Sequence, residues 1–69
     1  LAGGADGCDF YRAIVRQWRD VGAPGGRLFF EVGIGQADTV ADLMAAGGFA
    51  DIQVVPDSQY IPRVVYGTR

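Results

Sequence analysis

Phe10, Ile14, Trp18 and Val21 recur at intervals of four, four and three residues in DFYRAIVRQWRDVG. That spacing places them on one face of an α-helix beginning at Asp9, with Ala13 and Val15 widening the apolar stripe. Asp6 or Asp9 can serve as the N-cap, where a carboxylate accepts backbone N–H bonds at the positive end of the helix dipole. Gly22 is placed to end the helix in a left-handed conformation. Ala23-Pro24-Gly25-Gly26 then reads as a tight turn, with Pro setting φ and Gly25 free to take a positive φ. In RLFFEVG, residues 27–33, the apolar positions are continuous, which suits a strand buried on both faces of a parallel sheet. Ala37, Val40, Leu43 and Met44 restore helical spacing over 36–46, and Gly47-Gly48 stops that helix. Ile52, Val54 and Val55 mark a strand over 51–56 stopped by Pro56 and Asp57. RVVYGT (63–68) is the last strand, with Pro62 at its start.

The order is helix, strand, helix, strand, strand. On this pattern the first strand, the second helix and the second strand form one parallel βαβ unit with a right-handed crossover. The short connection between the last two strands suits an antiparallel pair.

Composition narrows the chemistry. Six Arg, eight acidic residues, no Lys and no His give a net charge of −2. Without His and with Cys8 as its one cysteine, the chain holds no internal disulfide, no Cys/His zinc site and no Ser-His-Asp or Cys-His pair. A sequence pI of 4.6 argues against direct nucleic-acid binding, which requires clustered cations to displace counterions. Arg12, Arg16 and Arg19 share one segment, but Asp9 and Asp20 flank them, and a solvated helix face accounts for them. No apolar run approaches a membrane span, and no basic-then-apolar signal peptide is present. At 69 residues, beginning with Leu, the chain reads as part of something longer, because so small a globule buries too little surface to be comfortably stable alone.

Three features invite a chemical reading. Gly33-Ile34-Gly35 lies between a strand and a helix, where a dinucleotide-binding fingerprint would sit. The third glycine of that pattern would fall at Asp38, so a tight strand-to-helix turn explains the pair. Glu31 is a carboxylate near the carboxyl end of a strand read as buried. It is either hydrogen-bonded to loop N–H groups or faces a ligand at the edge where open α/β sheets bind them. Asp6 either orients a substrate or caps the first helix. Cys8 and Trp18 read as packing residues, since no His or Lys is at hand to activate the thiol. Nothing here assembles a nucleophile, a base and an oxyanion hole.

Taken in order, four stretches resemble the C-terminal part of the release-factor glutamine methyltransferases (HemK/PrmC type). LAGGADGCDFYRAI carries Leu1, Gly3, Gly4, Asp6, Gly7, Asp9, Tyr11 and Arg12 of the family pattern. APGGRLFFEVGIGQADTV carries Pro24 to Gly26, Leu28, Glu31, Gly33 and Gln36. AAGGFADIQVVPD supplies Gly48, Phe49 and Asp57, and RVVYG supplies Arg63 to Gly67. Cys8 replaces the usual Leu, and Ser58 to Pro62 replace a loop with Gly and an acidic residue.

The resemblance implies an α/β fold, the C-terminal part of a class I S-adenosylmethionine-dependent (Rossmann-like) sheet. Residues 1–69 are then a single partial domain with the last strand antiparallel between the other two, so that the spatial order is first, third, second. It implies a cytoplasmic enzyme that uses S-adenosylmethionine to methylate the side-chain amide of the Gln in the Gly-Gly-Gln loop of peptide-chain release factors. The family's cofactor loop and its Asn-Pro-Pro-Tyr motif are not in this sequence, so no catalytic or cofactor residue is carried over. Gly4, Asp6, Gly7 and Glu31 are expected at the active-site edge. The isolated chain is expected to be inactive and to self-associate through the exposed edge and face of LFFEV. The competing reading is a non-catalytic α/β dimerisation or binding module.

Overall fold

The computed structural model describes residues 7–69. The chain runs α1 (Asp9–Val21), β1 (Arg27–Glu31), α2 (Ala37–Ala46), β2 (Ala50–Pro56) and β3 (Pro62–Thr68). The three strands form one sheet in the order β1-β3-β2, with β3 antiparallel to both neighbours. The expected spatial order is therefore present, and so is the antiparallel β2–β3 pair. β1 and β2, both antiparallel to β3, run parallel to each other with α2 connecting them, as read from the pattern. β1 and β2 do not pair with each other, because β3 inserts between them and takes the hydrogen bonds of both.

Strand alternation sorts the sheet into two faces. Phe30 and Val54 stand opposite Val65, and Phe30 and Val65 are buried under the helices. One residue along, Phe29 stands opposite Tyr66 with their rings stacked 4.9 Å apart, on the face the helices leave uncovered. Phe29 is 57% exposed, so β1 is not buried on both faces among the described residues. Continuous apolar sequence came from two different faces, one covered and one not.

Val40, Met44 and Val65 form the fully enclosed centre, joined by Val15, Phe30, Val32, Ala37 and Phe49. Burying side chains of this size contributes about 1.5–3 kcal/mol each. Two glycines set how closely the layers approach. A Cβ at Gly67 would meet Met44 Cε and Ile52 Cγ1 at 3.1 Å, and one at Gly47 would meet Val15 Cγ1 at 2.5 Å. The first lets Met44 lie on the sheet; the second lets α1 lie on the end of α2.

The helix ends differ in part from expectation. α1 begins after Cys8, whose side chain makes no capping bond and is buried as a packing residue. Asp9 is not a cap; it lies in the first turn and pairs with Arg12 at 2.9 Å. Asp6 lies outside the described residues. Gly22 is extended rather than left-handed, at φ −71°. Its N–H still closes the helix on Trp18 O, while the Trp18 ring packs where a Cβ would stand. The packed stripe of α1 is Tyr11, Ile14, Val15 and Trp18. Phe10 and Val21, expected inside, stand outside it and are exposed. α2 ends as expected on its glycines. Gly48 takes φ +90°, Phe49 N–H reaches back to Met44 O and Gly48 N–H to Ala45 O, so Phe49 folds into the core.

Two of the three remaining turns use a positive-φ glycine at the third position. Gly26 N–H bonds Ala23 O around Gly25 (φ +84°), and Gln36 N–H bonds Gly33 O around Gly35 (φ +81°). The β2–β3 loop is organised by Asp57. Its carboxylate accepts the N–H groups of Gln59 at 2.8 Å and Ile61 at 3.0 Å, and binds Arg63 Nε at 3.2 Å. These bonds hold Tyr60 at φ +63°, a conformation few non-glycine residues adopt.

Two predictions follow from this packing. Met44→Ala opens a cavity between α2 and the sheet and is expected to cost about 2–5 kcal/mol by urea unfolding. The Asp57 carboxyl is held below its ordinary value of 3.8, first by the Ile61 N–H and then by the Gln59 N–H; desolvation opposes them in part, and Arg63 adds smaller lowering contributions. A group whose folded pKa is depressed stabilises the fold above its unfolded pKa and loses that contribution as pH falls through the folded value. Asp57→Ala is therefore expected to be less stable than the parent at pH 7. The gap should close as pH drops below about 4, measured by thermal unfolding across pH.

Candidate functional site

In open α/β sheets ligands gather at the carboxyl ends of strands, and in this chain β1 delivers Glu31 to that edge. Glu31 is exposed rather than buried, which corrects the expectation of a costly buried carboxylate. The group of Glu31 that is engaged is its backbone carbonyl, which accepts the Tyr11 hydroxyl at 3.3 Å.

That hydroxyl leads to the best-connected side chain at this edge, Gln36. The backbone turn over Gly33–Gln36 brings the Gln36 amide back over its own start. Oε1 accepts the Gly33 N–H at 3.0 Å and shares the one Tyr11 hydroxyl proton with Glu31 O, each acceptor 3.3 Å from it. With the oxygen so fixed, Nε2 faces the Gly7 carbonyl at 3.5 Å. Both glycines leave room for the amide in this position. A Cβ at Gly33 would come within 2.8 Å of Gln36 Oε1, and one at Gly7 within 3.1 Å of Nε2, where Gly7 also has φ +71°. Tyr11 is placed by its ring, which meets Phe30 edge-on at 5.2 Å. The first turn of α1, the end of β1 and the start of α2 are thus joined through one amide.

Of the expected edge residues, the structure brings Gly7 and the backbone of Glu31 to this node; Gly4 and Asp6 lie outside the described residues. Tyr11 and Gln36 were not among the expected site residues. They are 25 positions apart, and no local periodicity links them. The available signal was Gly33 three residues before Gln36, a spacing that lets an amide side chain reach back to its own turn.

Within the glycine turn the Gly33 N–H is given to Gln36 Oε1 and the Gln36 N–H to Gly33 O. Beside the node lies an open cleft of about 230 Å³ lined by Ile34, Asp38, Tyr60 and Ile61, among others. A second cleft, of about 240 Å³, runs between α1 and the end of α2. Arg12, Arg16 and Arg19 border it. They bring positive charge to the C-terminal end of α2, whose last turn carries no basic residue of its own. No group of three metal-ligating side chains occurs among the described residues, and no helix there is long and apolar enough to cross a membrane.

No family model matches the chain, and no solved structure matches it. Among curated proteins the similarity is extensive. The release factor glutamine methyltransferase of Geobacter sulfurreducens is 48% identical over 67 residues, 97% of this chain and 24% of that protein. That of Clostridium acetobutylicum is 38% identical over 69 residues, all of this chain and 24% of its own length. That of Cereibacter sphaeroides is 45% identical over 65 residues, 94% of this chain and 23% of its length. The chain spans about a quarter of the length of these relatives. It is thus a sequence relative of the release factor glutamine methyltransferases, matching the C-terminal part of those proteins over nearly all of its own length.

Proposed function

We propose that this chain is the C-terminal part of the catalytic domain of a cytoplasmic, S-adenosylmethionine-dependent protein-glutamine methyltransferase acting on the Gly-Gly-Gln loop of peptide-chain release factors. The observation that carries the reading is 48% identity to one such methyltransferase across 97% of the chain. The β1-β3-β2 order supports it too, since it agrees with the order that the resemblance implies for the last three strands of a class I sheet. When bound, S-adenosylmethionine would supply an electrophilic methyl group to the amide nitrogen of the target glutamine, the S–CH3 bond breaking so that its sulfur leaves as a neutral thioether and the amide gives up a proton to solvent. The residues that hold the cofactor and the target amide belong to the part of the relatives that this chain does not match. The role proposed for residues 1–69 is to form one side of the sheet, cover it with α1 and α2, and shape the edge where the substrate loop enters.

The test is methyl transfer by the complete protein. With methyl-labelled S-adenosylmethionine and a release factor, label should appear on the release factor and vanish when the glutamine of Gly-Gly-Gln is replaced by alanine. No label on the unaltered factor would sink the reading. An Asn-Pro-Pro-Tyr in the residues preceding Leu1, roughly 20–40 positions upstream by ordinary element lengths, is expected in the same gene. A start codon directly before Leu1 would count against it.

For the isolated 69 residues, calorimetry should detect no binding of S-adenosylmethionine. Self-association is expected, because among the described residues β1 has one unpaired edge and the Phe29–Tyr66 face is uncovered. Sedimentation giving a single monomeric species at high concentration would contradict that.

A further inference from the structure

We propose that Gln36 is a positioning residue for the polypeptide substrate, acting through Gly7, the residue that leads into α1. The proposal rests on the methyltransferase reading above. It adds a role for side chains at the carboxyl edge of the sheet that make no contact with a reacting group.

The argument is one of connectivity. Gly7 precedes α1 and stands at the carboxyl end of β1, yet no strand ladder holds it there. What reaches it is a side chain: Gln36 Nε2, 3.5 Å from its carbonyl. The amide can point that way because its oxygen is held from the other side by Gly33 N–H and the Tyr11 hydroxyl. Gly7 has the positive φ and the missing Cβ that this approach demands. One amide thus divides its work. Its oxygen closes the β1–α2 turn, and its nitrogen lies 3.5 Å from the backbone carbonyl that enters the first helix. A substrate loop docking at this edge meets a surface already ordered, and ordering it beforehand removes an entropic cost from binding. Losing the tether should then weaken substrate binding rather than slow the methyl transfer itself.

The two halves of the amide can be separated. Gln36→Glu keeps an acceptor for Gly33 N–H and Tyr11 O–H but has no donor for the Gly7 carbonyl and sets a negative charge against it. In the complete protein this variant should melt close to the parent. Its KM for the release factor should rise about five- to tenfold, the equivalent of one lost hydrogen bond, with kcat and the Kd for S-adenosylmethionine within twofold. Gln36→Ala, which also opens the turn, should show the same rise in KM with a lower melting temperature. Tyr11→Phe keeps the ring packing on Phe30 and serves as the variant sure of a folded core; it should raise KM less than Gln36→Glu. A parental KM for Gln36→Glu, or an equal change in kcat, overturns the proposal. Backbone ¹⁵N relaxation at Gly7 and Cys8 reads the tether without any activity. Greater mobility in Gln36→Glu than in the parent supports it, and identical mobility overturns it. If the parent transfers no methyl group at all, the functional reading fails while the relaxation result still judges the tether.

Discussion

Everything in this fold depends on β3 being shared. It is the strand that both β1 and β2 bond to, and its Val65 has no accessible surface, lying between Phe30 on one side and Val54 on the other. Around it Met44 and Val40 of α2 are equally enclosed, and Gly67 gives Met44 the space to reach the sheet. Without β3 the other two strands would have no common partner, and α2 would lose the centre of its floor, keeping only its packing on β2.

The covered face and the uncovered face then have different consequences. On the helical side the sheet is closed by side chains from α1 and α2, and the carboxyl end of β1 is brought against the first turn of α1 by Tyr11. On the other side Phe29 and Tyr66 stack on each other in the open. Apolar surface of that kind is ordinarily covered by a further layer. The relatives, about four times as long as this chain, have ample length for one.

Much of this was legible in the sequence, and the failures have physical reasons. Helical spacing located α1 and α2, and glycine and proline placed the turns, because those signals are local. The bounds of β2 and β3 were found to within a residue for the same reason. Strand directions were read correctly, but which strand neighbours β1 was not legible in its own residues. The run Leu28-Phe29-Phe30 shows that both sides of β1 are apolar, but a parallel and an antiparallel neighbour satisfy that equally. The helix stripe was misjudged by about one position, since Phe10 and Val15 both fit a 3.6-residue period and only packing against Phe30 and Gly47 selects the Tyr11–Val15 side. The Gln36 node was the least legible part. It depends on residues 25 and 29 positions away, which meet only after the sheet has formed. Gly7, Tyr11, Gly33 and Gln36 were among the many residues that carried the family resemblance, and nothing in the sequence singled them out from the rest; the hydrogen bonds do.

The order of strands in space also dictates an order in time. Arg27 of β1 pairs with Thr68, and Glu31 with Val64, so this ladder closes only across most of the described chain, whereas β2 meets β3 through a short loop. Local hairpins form early, and distant pairings wait on the entropy of closing the larger loop. During synthesis β1 and β2 both emerge before β3 exists, so the edges that β3 pairs with wait for it. Until β3 is made, the edge of LFFE that faces it stays open, and how long it does so is set by how quickly the β2–β3 hairpin forms.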